Sequence, residues 1–113
     1  MKLTKPPLKV KVNRENLLSL LNYLNHIHDY KSEYLNPIIK NDKFIYIILE
    51  YNLECIIEKV INTIYKNHHK TPYKTNLQFN EAERLTLIKL AIYYPLPLDI
   101  EFINYELQKN LIL

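Results

Sequence analysis

Few side chains in this sequence are of the types that do chemistry, and their spacing argues against most of it. His26, His28, His68 and His69 are the histidines and Cys55 is the single cysteine. On a helix, His26 and His28 point about 200° apart and cannot share a metal ion. His68 and His69 are adjacent, yet no cysteine or acid stands nearby in sequence to complete a site. Cys55 falls in the middle of a long apolar-periodic stretch, away from any helix N-terminus that would lower its pKa, and reads as a structural thiol. No catalytic residue, metal site or cofactor is expected. The chain also contains no glycine. Phosphate-cradling loops, dinucleotide fingerprints and nucleophile elbows need backbone at positive φ or in close approach to a ligand. Only Asn and Asp are expected to take such conformations here. An enzyme acting on a small-molecule substrate is therefore not expected.

What remains is binding chemistry, and charge is the most uneven property. Residues 1–14 carry Lys2, Lys5, Lys9, Lys11 and Arg14 with no acid. Residues 66–74 carry Lys66, Lys70 and Lys74, again with no acid. The whole chain is only +3, so the remainder is acidic. Tyr73 stands between Lys70 and Lys74. Cations interleaved with an aromatic ring suit phosphate neutralisation with base stacking. A second constellation is Glu50, Glu54 and Glu58, an i, i+4, i+8 acidic ladder beside Tyr51. Like charges at that spacing repel by a few tenths of a kcal/mol, so the ladder is either a solvated face or a docking stripe for a protein partner. The ten tyrosines add surface area suited to recognition, with Tyr30, Tyr34, Tyr46, Tyr51, Tyr73 and Tyr105 off the strongest apolar positions.

The elements that must hold these residues are mainly helical. At 113 residues the chain is expected to form one domain. The expected fold is a small bundle of four to five helices, residues 14–113, preceded by an extended basic arm, residues 1–13. Pro6-Pro7 forces extended backbone, and Lys9-Val10-Lys11-Val12 alternates with period two, which suits one edge strand. Asn13 reads as an N-cap, with Val12 and Leu17 as a hydrophobic staple. Leu17, Leu20, Leu21, Leu24 and Ile27 (with Leu18) face the core on a helix running to about Asp29. Ser32 caps a short helical piece that Asn36-Pro37 ends.

The central segment, Phe44 to Lys66, places Ile45, Leu49, Leu53, Ile56, Val60 and Ile64 on one face, widened by Ile57 and Ile61. Asp42 or Asn41 caps it. The minority alternative is a strand over 44–49 paired in a short β-hairpin with residues 8–12. Residues 67–78 read as a polar loop. Asn80 with Glu83 forms a capping box opening a helix to about Tyr94, with Ala82, Leu85, Ile88 and Ile92 inward. Pro95 and Pro97 stop it. Asp99 caps a last helix with Ile100, Ile103 and Leu107 inside, and Leu111–Leu113 is expected to dock on something. The would-be recognition helix of a helix-turn-helix offers Glu101 and Glu106, which argues against DNA readout. The stretch FNEAERLTLIKLAIYYPLPLDIEFINYEL resembles the C-terminal helical segment of small stalk subunits of eukaryotic RNA polymerases, and no residue role is carried over from it.

The expectation is a non-enzymatic accessory protein docking on a large RNA-containing assembly, such as a ribosome. Its RNA-contacting residues would be Lys2, Lys5, Lys9, Lys11, Arg14, Lys66, Lys70, Tyr73 and Lys74. The alternative is a protein-only adaptor or inhibitor, for example a phage-encoded inhibitor of a host or defence enzyme, using Glu50, Tyr51, Glu54 and Glu58. No apolar run is long enough to span a bilayer, and one cysteine fits a reducing, cytoplasmic setting.

Overall fold

The computed structural model describes residues 7–109 with the exception of residue 71. Expectations for Lys2, Lys5, Pro6 and Leu111–Leu113 lie outside the described residues. Strand β1 (Leu8–Asn13) leads into helix α1 (Arg14–Asp29), followed by α2 (Lys31–Ile39), α3 (Lys43–Lys66), strand β2 (Lys74–Phe79), α4 (Glu81–Tyr93) and α5 (Glu101–Gln108), with a 3₁₀ turn over Leu98–Ile100. Among the described residues the chain is thus mainly helical, with five α-helices and one small antiparallel sheet.

The start of α1 forms as its residues dictate. The Asn16 N–H donates to Asn13 Oδ1 (2.8 Å), and the Asn13 N–H donates to Asn16 Oδ1 (2.9 Å), a reciprocal box. Leu17, Leu20, Leu24 and Ile27 are buried, while Leu18 is exposed. Asp42 Oδ1 caps α3 by accepting from the Phe44 and Ile45 N–H groups. Leu49, Leu53, Ile56 and Val60 of α3 enter the common core with the α1 leucines. Residues 44–49 are helical, so the hairpin alternative over that stretch does not form.

Several local expectations need correction. Ser32 does not cap α2, which begins at Lys31 behind Tyr30 with no side-chain cap. The polar loop of 67–78 contains β2: Leu77 and Phe79 are buried while Lys74, Asn76 and Gln78 face out, a two-residue alternation masked by polar neighbours. Pro37 lies inside α2 rather than ending it. Ile38 and Ile39 are buried, and their packing carries the helix on to Lys40. There the chain turns through left-handed backbone at Lys40 (φ 50°) and Asn41 (φ 71°). A lysine thus takes a conformation expected only of Asn and Asp, its N–H donating to Asn36 O (3.1 Å). Asp99 does not cap α5. Its carboxylate accepts from Ser19 Oγ (3.0 Å), pinning the 3₁₀ turn to α1.

The phase of α4 also differs from expectation. Leu85, Ile92 and Ala82 are exposed and Ile88 half-buried, whereas Glu83, Thr86, Leu87, Leu90 and Ala91 are buried. The helix is apolar on nearly every side, so periodicity alone does not choose its inward face. An ion pair does. Glu83, only 3% exposed, accepts from Lys59 Nζ of α3 at 2.6 Å and from the Asn80 N–H at 2.8 Å. Lys59 Nζ also donates to Gln78 O (2.9 Å), so one ammonium joins α3, β2 and α4.

Replacing Glu83 with Ala removes the capping acceptor and leaves Lys59 without its carboxylate. Glu83→Ala should lower stability by about 2–4 kcal/mol, with Glu83→Gln losing less because its amide oxygen still caps. Denaturant melts of the two variants check this; an Ala variant within about 0.5 kcal/mol of wild type, the usual scatter of surface changes, would contradict it.

Candidate nucleic-acid interface

The two basic segments are brought together by strand pairing. β1 and β2 run antiparallel with Leu8 opposite Phe79, Lys9 opposite Gln78, Val10 opposite Leu77, Lys11 opposite Asn76, Val12 opposite Thr75 and Asn13 opposite Lys74. Residues directly opposite share a face. The inner face therefore carries Val10, Val12, Leu77 and Phe79, all buried. The outer face carries Lys9, Lys11, Lys74, Asn76 and Gln78, all exposed and with no acid among them. The basic arm is, from Leu8 onward, a strand locked in by its valines rather than a separate appendage.

At the end of the sheet, where β1 passes into α1, a cavity of about 320 Å³ is lined by Asn13, Arg14, Glu15, Lys70, Pro72, Tyr73 and Lys74. Arg14, Lys70 and Lys74 come from both segments, and the positive end of the α1 dipole lies at the same place. Glu15 is the one acid of the lining. Tyr73 packs its ring against the core beside these cations. Among the described residues, no ion pair joins Lys9, Lys11, Arg14, Lys66, Lys70 or Lys74 to a carboxylate. Lys66 stands apart from this cluster. It lines a groove of about 450 Å³ with Cys55, Glu58, Lys59, Asn62, Thr63 and Glu83.

The acidic ladder is partly matched within the fold. Glu50 pairs with Lys31 of α2 at 3.0 Å, and this hydrogen bond raises the Lys31 ammonium above its ordinary pKa. Glu54 meets His28 Nε2 at 3.3 Å, and Glu58 is exposed. Tyr51 is exposed, and its phenol is pushed up by a hydrogen bond with Cys55. Arg84 is structural: Nε and Nη2 donate to Leu107 O, and Nη2 to Lys109 O, closing the C-terminus of α5. His68 Nδ1 contacts Tyr65 O at 2.6 Å, and among the described residues no group of three His, Cys, Asp or Glu is placed to hold a metal ion.

Sequence reading missed two features. One is a tyrosine cluster between α1, α2 and the end of α4. Tyr94 donates to Tyr34 O (2.7 Å), His26 Nε2 contacts the Tyr34 hydroxyl (2.7 Å), and the Tyr23 hydroxyl donates to Tyr94 O. The other is an outward apolar stripe on α3 containing Phe44, Ile47 and Ile48, all exposed. Phe44, Ile48, Tyr51 and Cys55 at steps of four, three and four were the legible signal for it.

No protein-family model, curated protein or solved structure matches the chain. Among the described residues, no helix is long and apolar enough to cross a membrane.

Burial, with Tyr94 beside it, holds the Tyr23 phenol well above its ordinary value of 10.0. The folded chain then keeps a proton that the unfolded chain gives up. This contribution to stability is complete below about pH 10 and is lost as pH rises further. Tyr23→Phe should cost about 1 kcal/mol at neutral pH through the lost bond to Tyr94 O, and its stability should fall less steeply on the alkaline side. Denaturant midpoints from neutral pH to about pH 11 check this; parallel curves for the two proteins would refute it.

Proposed function

We propose that the chain is a non-enzymatic accessory protein that docks on a large RNA-containing assembly, with the outer face of the β1–β2 sheet and the adjoining Arg14–Lys70–Lys74 cluster set against RNA phosphate. The observation that supports this reading is the strand register. It gathers cations 60 or so residues apart in sequence into one surface, as counterion release at a phosphate backbone requires. Asn76 and Gln78 add neutral donors between the lysines, while Tyr73, its ring packed against the core, supports the segment that carries Lys70 and Lys74. Lys2 and Lys5 extend the same run of positive charge in sequence. The chemistry favours RNA contacted through shape and backbone, since the last helix offers Glu101 and Glu106 where DNA readout would want Arg, Lys, Asn or Gln.

The test is fluorescence anisotropy with a single-stranded RNA and an RNA hairpin over a salt series. Wild type should lose affinity steeply as salt rises. Lys9→Gln, Lys11→Gln and Lys74→Gln together should weaken binding and reduce the log–log salt slope by about 2 to 3, close to one unit per lost phosphate contact. These side chains are exposed, so the fold should be unaffected. Equal slopes for wild type and variant would reject RNA contact through this face. A partner that co-purifies after nuclease treatment and is lost on Glu54→Lys would instead favour the protein-only adaptor.

A further inference from the structure

One apolar surface left without a role is the outer side of α3. Phe44, Ile47, Ile48 and Tyr51 are 80%, 61%, 57% and 66% exposed, and Ile45 beside them is 43% exposed. At 100° per residue, Phe44, Ile48, Tyr51 and Cys55 fall on one stripe, opposite the buried Leu49, Leu53, Ile56 and Val60. The stripe is framed on both sides. Glu50 and Glu54 reach Lys31 and His28 on one flank, and Asn52 Nδ2 donates to Thr86 Oγ1 of α4 (3.0 Å) on the other. Between Phe44 and Tyr51 the only charged residue is Glu50, and it is turned aside into its ion pair.

We infer that this face pairs with the same face of a second copy of the chain, the two α3 helices running antiparallel about a twofold axis near Ile47 and Ile48. Three observations select that occupant. The stripe is self-complementary, with an aromatic ring at each end and isoleucines in the middle, so the twofold sets Phe44 against Tyr51 of the other copy and isoleucine against isoleucine. The charges are complementary in that orientation only. Lys43 has no ion pair among the described residues and shares a flank with Glu50 and Glu54. An antiparallel pair brings like flanks together. Lys43 and Glu54 then stand about 7 and 10 Å from the axis on opposite sides, close enough in height for each lysine to reach the other copy's glutamate. A parallel pair would push the acid-bearing flank towards the side that α4 already covers. The area also suits a second copy. The five side chains together expose the equivalent of about three whole large side chains, on the order of 600 Å². That is most of the roughly 800 Å² per partner in a standard interface, and it stands at the upper end of the roughly 300–600 Å² that the largest apolar patch of a monomer reaches.

The inference stands apart from the RNA reading and is tested without RNA, by sedimentation of the full, nuclease-treated chain over a concentration series. Mass should double as concentration rises. Ile48→Glu should return the chain to monomer with its helical circular dichroism unchanged. Lys43→Glu should weaken the dimer several-fold, and Lys43→Glu with Glu54→Lys should restore it. In a Cys55→Ser background, Ile48→Cys should oxidise to a covalent dimer. Phe44→Cys should not, because an antiparallel pair holds its two copies about 10 Å apart along the axis. A chain that stays monomeric throughout overturns the pairing and leaves the face to a different protein. A dimer indifferent to Ile48→Glu places the interface elsewhere, and ready self-cross-linking of Phe44→Cys overturns the antiparallel arrangement.

Discussion

The structure depends on the antiparallel pairing of Leu8–Asn13 with Lys74–Phe79. Between these strands lie three helices, so the contact closes a long stretch of chain and has a corresponding loop entropy to overcome. A two-stranded ribbon alone is marginal in water. This one is held by what its inner face covers: Val10, Val12, Leu77 and Phe79 are buried in the same core as the leucines of α1 and the central residues of α3. The pleat then has a consequence for the outside. With the valines committed inward, Lys9 and Lys11 have no choice but to face water, and the register sets them against Asn76 and Gln78. The charged surface is a by-product of hydrophobic burial on the reverse side.

The second constraint is polar. Lys59 and Glu83 are a third exposed and almost fully buried at the side chain, respectively, and close to 2.6 Å. Isolated, a carboxylate at that depth would be costly. Here it accepts from Lys59 and from the first orphan N–H of α4, and Lys59 spends a further proton on Gln78 O. Such a pair contributes less to net stability than to uniqueness of packing. A helix that is greasy all round can be rotated with little change in buried area. One buried charge with one partner removes that freedom, which is why α4 buries Glu83 and Thr86 while Leu85 and Ile92 stay in water.

This explains which features were legible in the residues. Caps were legible because they are local: Asn13, Asp42 and Asn80 each accept from backbone N–H groups within three residues. The inward faces of α1 and the C-terminal part of α3 were legible because their apolar residues form a single stripe. The face of α4 was not, because its phase is set by a residue on another helix. β2 was not, because two apolar residues among Lys, Thr, Asn and Gln carry little signal until Val10 and Val12 lie opposite. For the candidate interface, the residue types were readable, but the convergence of Arg14 with Lys70 and Lys74 exists only once the strands pair. Lys66 illustrates the limit: it is close to Lys70 in sequence, yet the end of α3 directs it towards Glu58 and Asn62 instead.

Helix α3 has two different characters along its 24 residues. From Glu54 to Lys66 it is an ordinary amphipathic helix, with Glu54, Glu58, Asn62 and Lys66 on the side away from Ile56 and Val60. From Phe44 to Leu49 it is apolar on every side. Helical segments of that kind belong inside a structure, because only there are all their faces covered. The core takes Leu49, and α2 and its following turn lie beside Tyr46 and Ile47 around a shallow cavity with Ile39 and Asn36, while Phe44 and Ile48 are 80% and 57% exposed. Covering these side chains, which stay mostly in water, would contribute roughly 25 cal/mol per Å² of apolar area, and the proposed pairing of two α3 faces would provide that cover.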